Sequence, residues 1–207
     1  NYRRKLMKTT MIEFEGLLDT FEKSIHTEEF KKFQTDFDNS DNIFFIGNGG
    51  SHSVATHAAS DVSRLTSKRC YSLDSASYLT SIANDYSYNN IFMQWLEDYA
   101  IEGSKSMVIG FSGSGNSKNV ISTLALASDK YKFNTALLSG QESNCLPEYI
   151  NEVSFDNKYF HVHEILCMLT FYQLIHGTGN SCPTIKAEIV RKGAHAESYR
   201  TKKYKEI

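Results

Sequence analysis

The 207-residue chain has no apolar run approaching the roughly eighteen residues that a membrane-spanning helix needs. Its amino-terminal residues carry Arg and Lys without the apolar stretch of a secretory signal. It also lacks a dominant charge: 22 basic residues against 24 acidic ones leave a net charge of −2, which argues against nucleic acid as the main partner. Cysteine is sparse, and Cys70, Cys145, Cys167 and Cys182 are too scattered for a C-x-x-C pair or a disulfide framework, so a reducing compartment is expected. There is no solenoid repeat, no low-complexity linker and no hairpin signal. These absences point to a cytoplasmic protein that engages neither membrane nor nucleic acid.

What is present is organised around residues 44–51, Phe-Phe-Ile-Gly-Asn-Gly-Gly-Ser. Residues 43–46 form a continuous apolar run, as in a strand buried on both faces of a parallel sheet. Gly47, Gly49 and Gly50 then let a ligand approach the backbone, and Ser51 is a preferred helix N-cap. From 53 to 65 the apolar residues recur at three- and four-residue steps, as on an amphipathic helix. A strand, a glycine turn and a helix leave free N–H groups at the positive end of a helix dipole, which is an anion site.

The arrangement repeats at residues 106–127. Met107 to Phe111 reads as a buried strand, residues 112–117 (Ser-Gly-Ser-Gly-Asn-Ser) as a turn, and Val120, Ile121, Leu124, Leu126 and Ala127 as the apolar face of a helix. Ser112, Ser114 and Ser117 can donate to phosphate oxygens while the backbone forms a nest around them. Two such turns in one chain favour a phosphate site over plain connections. Between them, His57 and Asp61 are four residues apart, so they share a helix face and can act on one substrate or bind one metal.

Elsewhere, residues 11–37 hold apolar positions at helical spacing and read as one long or two shorter helices, docked on the domain or on another subunit. Further strands are expected at 70–73, 133–139 and 152–155, and helices at 75–82, 91–101 and 160–175, with a polar turn at 84–90. Strands alternating with helices imply a parallel sheet covered on both faces, with ligands at the carboxyl ends of its strands. The organisation expected is an N-terminal helical segment at 1–40, an α/β domain at 41–176 and a basic extension at 177–207. From residue 186 onward seven basic residues stand against three acidic ones.

In this order, residues 47–52 (Gly-Asn-Gly-Gly-Ser-His), His57, an acidic residue at 61, Ala83-Asn84-Asp85-Tyr86 and residues 112–117 resemble the sedoheptulose 7-phosphate isomerases, which are the phosphoheptose isomerases of the sugar-isomerase (SIS) superfamily. The resemblance covers about residues 10–176. It implies a single SIS domain with a five-stranded parallel flavodoxin-like sheet, in a homotetramer with active sites at subunit interfaces. It also implies conversion of sedoheptulose 7-phosphate to D-glycero-D-manno-heptose 7-phosphate through an enediol, in heptose biosynthesis, with no nucleotide cofactor. By the same resemblance Asn48, Gly49, Gly50, Ser51, Ser112, Gly113, Ser114 and Ser117 hold the sugar phosphate, and Asp85 belongs to a loop that reaches a site shared with a neighbouring subunit. In the family a glutamate is the base and a histidine on the last helix the acid, and some members bind zinc through these groups.

The chain departs from that pattern at two places. The base position holds Asp61, one methylene shorter, and aligning residues 163–165 with the family's Gln-Glu-Ile puts Phe171 where the acid histidine stands. His163 then replaces a glutamine and offers a substitute acid, or completes a His57–Asp61–His163 zinc set. Two other functions remain open. One is a sugar-phosphate-binding module without turnover. The other is dinucleotide binding, for which position 52 lacks the third glycine.

Overall fold

The computed structural model describes residues 12–183, so the start of the first expected helix at 11 and the basic run after 186 lie outside the described residues. Five strands form one all-parallel sheet in the order β2-β1-β3-β4-β5: β1 Asn42–Gly47, β2 Arg69–Ser72, β3 Ser106–Ser112, β4 Asn134–Ser139 and β5 Asn151–Ser154. This is the expected α/β, flavodoxin-like order. The order in which successive strands are added reverses between β1 and β3, and such a switch point opens a crevice at the strands' carboxyl ends. The register brings Gly47 level with Phe111, so the turns that follow β1 and β3 leave the sheet side by side.

Helices cover both faces. On one lie α1 Leu17–Ile25, α2 Glu28–Asp38, α3 Gly50–Leu65 and α7 Phe160–Gly177, whose Phe33, Ala55, Ala58, Val62, Leu166 and Phe171 pack on Ile43, Phe45, Ile109 and Leu138. The other carries α4 Ala76–Asp85, α5 Ile91–Tyr99 and α6 Lys118–Asp129, packed on Phe44, Ile46, Val108 and Leu137. The central strands present apolar side chains to both layers, which is why they read as unbroken apolar runs.

The N-terminal pattern resolves into two helices. Gly16 adopts φ 74° ahead of α1, and Thr27 starts α2 by accepting the Phe30 N–H at 3.2 Å. Phe30, Phe33 and Phe37 are buried, so α2 docks on this sheet rather than presenting a free apolar face. Asn84 and Asp85, expected in a polar turn, instead close α4.

Candidate active site

The turn after β1 is shaped by what its glycines permit. Gly49 adopts φ 58°, and α3 begins at Gly50 with no side chain capping it, which leaves its first N–H groups for a ligand. Ser51, expected as the cap, is instead the second residue of the helix and is buried. At Gly50 any Cβ would strike the Glu164 carboxylate, so the missing side chain is what lets α7 approach.

The turn after β3 is held from within. Ser112 Oγ donates to Ser117 Oγ at 2.9 Å, the Asn116 N–H donates to Ser114 Oγ at 3.2 Å, and Ser117 begins α6. The two turns are tied together by their amides: Asn48 Nδ2 donates to Asn119 Oδ1 and Asn119 Nδ2 to Asn48 Oδ1, each at 2.9 Å. Tyr88 adds a third bond, its hydroxyl donating to Asn48 Oδ1 at 2.9 Å.

Between the turns lies a cavity of about 270 Å³. It gathers eight of the expected residues, Asn48, Gly49, Gly50, Ser51, Ser112, Gly113, Ser114 and Ser117, and adds Phe111, Phe160 and Glu164. Asp85 is not among them. It is exposed at the end of α4, where it accepts from Asn84 Nδ2 at 2.9 Å.

A second group lies further along the seam where α3 and α7 pack. Gly50 faces Glu164, and seven residues on along both helices His57 faces Phe171, their ring centroids 5.7 Å apart. Asp61 Oδ1 accepts from Arg64 at 2.8 Å, while Oδ2 meets His57 Nε2 and the Tyr172 hydroxyl, each at 3.2 Å. Burial works to raise the Asp61 pKa, but the hydrogen bonds from Arg64 and Tyr172 and the Arg64 charge outweigh it and hold the carboxyl below its ordinary 3.8. Burial and the Asp61 charge push the Tyr172 phenol up.

The structure corrects the expected metal set. His163 belongs to the buried face of α7, below Gly113 and beside Phe155, with its ring against Cys167 Sγ at 3.4 Å. Burial lowers its pKa to about 4. It does not meet His57 and Asp61, and among the described residues no group of three His, Cys, Asp or Glu side chains is placed to hold a metal ion. Arg64 also works against a cation, because its guanidinium already occupies one Asp61 oxygen. His57, Asp61 and His163 therefore do not fit zinc.

Glu164, Tyr172, Arg64, Asn119 and Tyr88 were not picked out as site residues by their pattern. Glu164 does carry a signal, since it is the only Asp, Glu, Lys or Arg in an 18-residue apolar helix. Tyr172 in the same helix is indistinguishable from a core aromatic.

Known proteins place the chain further. It is 30% identical over 192 residues to phosphoheptose isomerase 2 of Campylobacter jejuni, covering 86% of this chain and 91% of that protein. To the phosphoheptose isomerase of Helicobacter pylori it is 34% identical over 134 residues, 62% of this chain and 66% of the other. The solved phosphoheptose isomerase of Neisseria gonorrhoeae shares the fold at a TM-score of 0.73 and 20% identity, over 84% of this chain and 98% of that one. No family model matches the chain.

Proposed function

The chain belongs to the phosphoheptose isomerase family, and from that membership we propose that it interconverts sedoheptulose 7-phosphate and D-glycero-D-manno-heptose 7-phosphate through an enediol, in heptose biosynthesis. The observation that carries the reading is the cavity at the β1–β3 switch point, where an uncapped helix N-terminus and three serine hydroxyls converge. Such a cradle suits a phosphate dianion.

Ser112, Ser114, Ser117 and the N–H groups at Gly50 and Ser51 anchor the phosphate, with Asn48 and Gly49 completing the turn and Gly113 letting the backbone close in. Asp61 is the base. His163 acts through the floor it forms beneath Gly113, not as an acid or a ligand. The step moves a proton and an electron pair between two carbons of one molecule, so it needs no nucleotide. Because the zinc set does not fit, no step runs through a metal.

We also infer a homo-oligomer, a tetramer by family resemblance, in which Asp85 serves a neighbouring copy. Its exposure away from its own cavity supports this, as does Phe160, 69% exposed at the cavity mouth. Among the described residues no helix is long and apolar enough to cross a membrane. Four free cysteines support a reducing, cytoplasmic setting.

Incubating the protein with sedoheptulose 7-phosphate in D₂O and following it by NMR tests the reaction. Deuterium at C1 or C2 together with aldose product is expected. Binding of the sugar phosphate with neither label nor product would make the protein a binding module.

A further inference from the structure

On the isomerase reading above, we propose that the Tyr172 hydroxyl is the proton donor of the enediol step, working opposite the Asp61 carboxylate on neighbouring atoms of the substrate. Isomerisation of a ketose asks for a base at the C1 hydrogen and an acid at the oxygen of C2, two positions side by side. Tyr172 Oη and Asp61 Oδ2 are 3.2 Å apart, which lets one face each of them.

The seam between α3 and α7 has the length the substrate requires. From Gly50, at the phosphate cradle, to His57 is seven residues, about 10 Å along the helix axis, and the His57 ring there lies 3.2 Å from the Asp61 Oδ2 that meets Tyr172, Asp61 itself standing one further turn on. An extended seven-carbon sugar phosphate has eight bonds from phosphorus to C1, again about 10 Å at the roughly 1.2 Å per bond of an extended chain. With its phosphate on the serine and glycine turns, the sugar therefore brings its carbonyl end to Asp61 and Tyr172. The place is reachable from solvent, since the His57 side chain is 46% exposed.

The groups facing Tyr172 are Asp61, His57, Arg64 and Cys182. Arg64, bonded to Asp61 Oδ1 at 2.8 Å, favours the ionised base, while burial and the neighbouring carboxylate favour the protonated phenol. In the free protein the Tyr172 hydroxyl donates to Asp61. With a ketose bound it donates to the C2 oxygen, and Asp61 Oδ2 is free to accept from carbon. The C1–H bond breaks toward Asp61, a C1–C2 double bond forms, and the carbonyl pair moves to the C2 oxygen, which takes the phenol proton. In the return half the O1–H proton goes to the phenolate, C1=O forms, and Asp61 delivers its proton to C2. Nothing is oxidised or reduced outside the sugar.

The test is Tyr172→Phe in the full chain, assayed in D₂O as above beside the parent protein. Expected is a fall in kcat of about 10²–10⁴-fold with a parallel loss of deuterium uptake, while KM, inorganic-phosphate affinity and melting temperature stay within about twofold or a few degrees. Tyr172→His, which restores a proton donor of different shape, is expected to recover about tenfold of that loss or more. Undiminished turnover in Tyr172→Phe overturns the assignment, as does loss of phosphate binding alongside turnover or the absence of any rescue by His. If the parent protein itself fails to turn over, the isomerase reading falls, and that outcome is read before any variant is made.

Discussion

The side-chain amides of Asn48 and Asn119 bond to each other twice, each Nδ2 donating to the other's Oδ1 at 2.9 Å, and so join the turn after β1 to the first residues of α6. Asn119 is 3% exposed and its Oδ1 also accepts the Val120 N–H at 3.0 Å, so its amide has no water to fall back on. The pair sets the width of the cavity proposed to hold the phosphate, because each partner belongs to a different wall.

Replacing Asn119 by Ala strands the Asn48 amide and is expected to lower stability by about 1–3 kcal/mol. Sugar-phosphate affinity should fall with it. Tyr88→Phe removes only the third bond to Asn48 and is expected to raise KM a few-fold with kcat nearly unchanged, at a cost of about 1 kcal/mol. Denaturant titration and steady-state kinetics on the two variants check both; equal affinity in Asn119→Ala would mean that the turns hold their shape without it.

Glu164 brings a negative charge into a cavity proposed to receive a phosphate. Two like charges a few ångströms apart repel by about 1 kcal/mol or more at partly shielded sites. Glu164→Gln is therefore expected to tighten inorganic phosphate roughly five-fold or more, readable by calorimetry. Sugar phosphate should gain less, because the carboxylate can accept from sugar hydroxyls. Weaker phosphate binding in Glu164→Gln would place the anion elsewhere.

Burial gives His163 a pKa of about 4, against an ordinary 6.5. The unfolded chain takes up this proton as pH falls through 6.5, whereas the folded chain takes it up only near 4. The lowered pKa therefore leaves its full stability in place above pH 6.5 and removes it progressively as pH falls to about 4, by up to about 3 kcal/mol. His163→Leu is expected to flatten the pH dependence of unfolding in that window. A profile with the same slope in both proteins would show that His163 is already protonated in the fold.

Asp61 has both oxygens engaged and a guanidinium beside it. Exhaustive chelation is accordingly expected to leave turnover within about twofold, since an Asp61 already paired with Arg64 has little to offer a cation. Loss of activity on chelation, restored by zinc, would bring the three-residue metal set back.

Much of the fold was legible along the chain because its signals are local. Buried parallel strands need apolar residues on both faces, so β1 and β3 read as apolar runs, and the glycine and serine turns follow them at the carboxyl ends, where the proposed phosphate cradle lies. The eight residues that line the cavity were reached in two ways: the glycines and Ser51 of the first turn and Ser112, Ser114 and Ser117 by local turn chemistry, Asn48 and Gly113 only through the family resemblance. Gly50 is the instructive case, because its need for a bare Cα comes from Glu164, 114 residues away, and cannot be read from the turn.

The surroundings of Asp61, the proposed reaction centre, were decided by tertiary structure. His57 and Asp61 share a face through helical spacing alone, which the sequence determines, but which residue of α7 meets them depends on how that helix is rotated about its axis. A helix apolar on nearly every side leaves that rotation unspecified in its pattern, and a step of one residue turns it by about 100°. Packing on the sheet sends His163 and Phe171 into the core and brings the Tyr172 hydroxyl to Asp61. Composition, turns and strand order thus belong to the sequence by itself, whereas the partner of Asp61 follows from the rotation of α7, set by contacts remote in the chain.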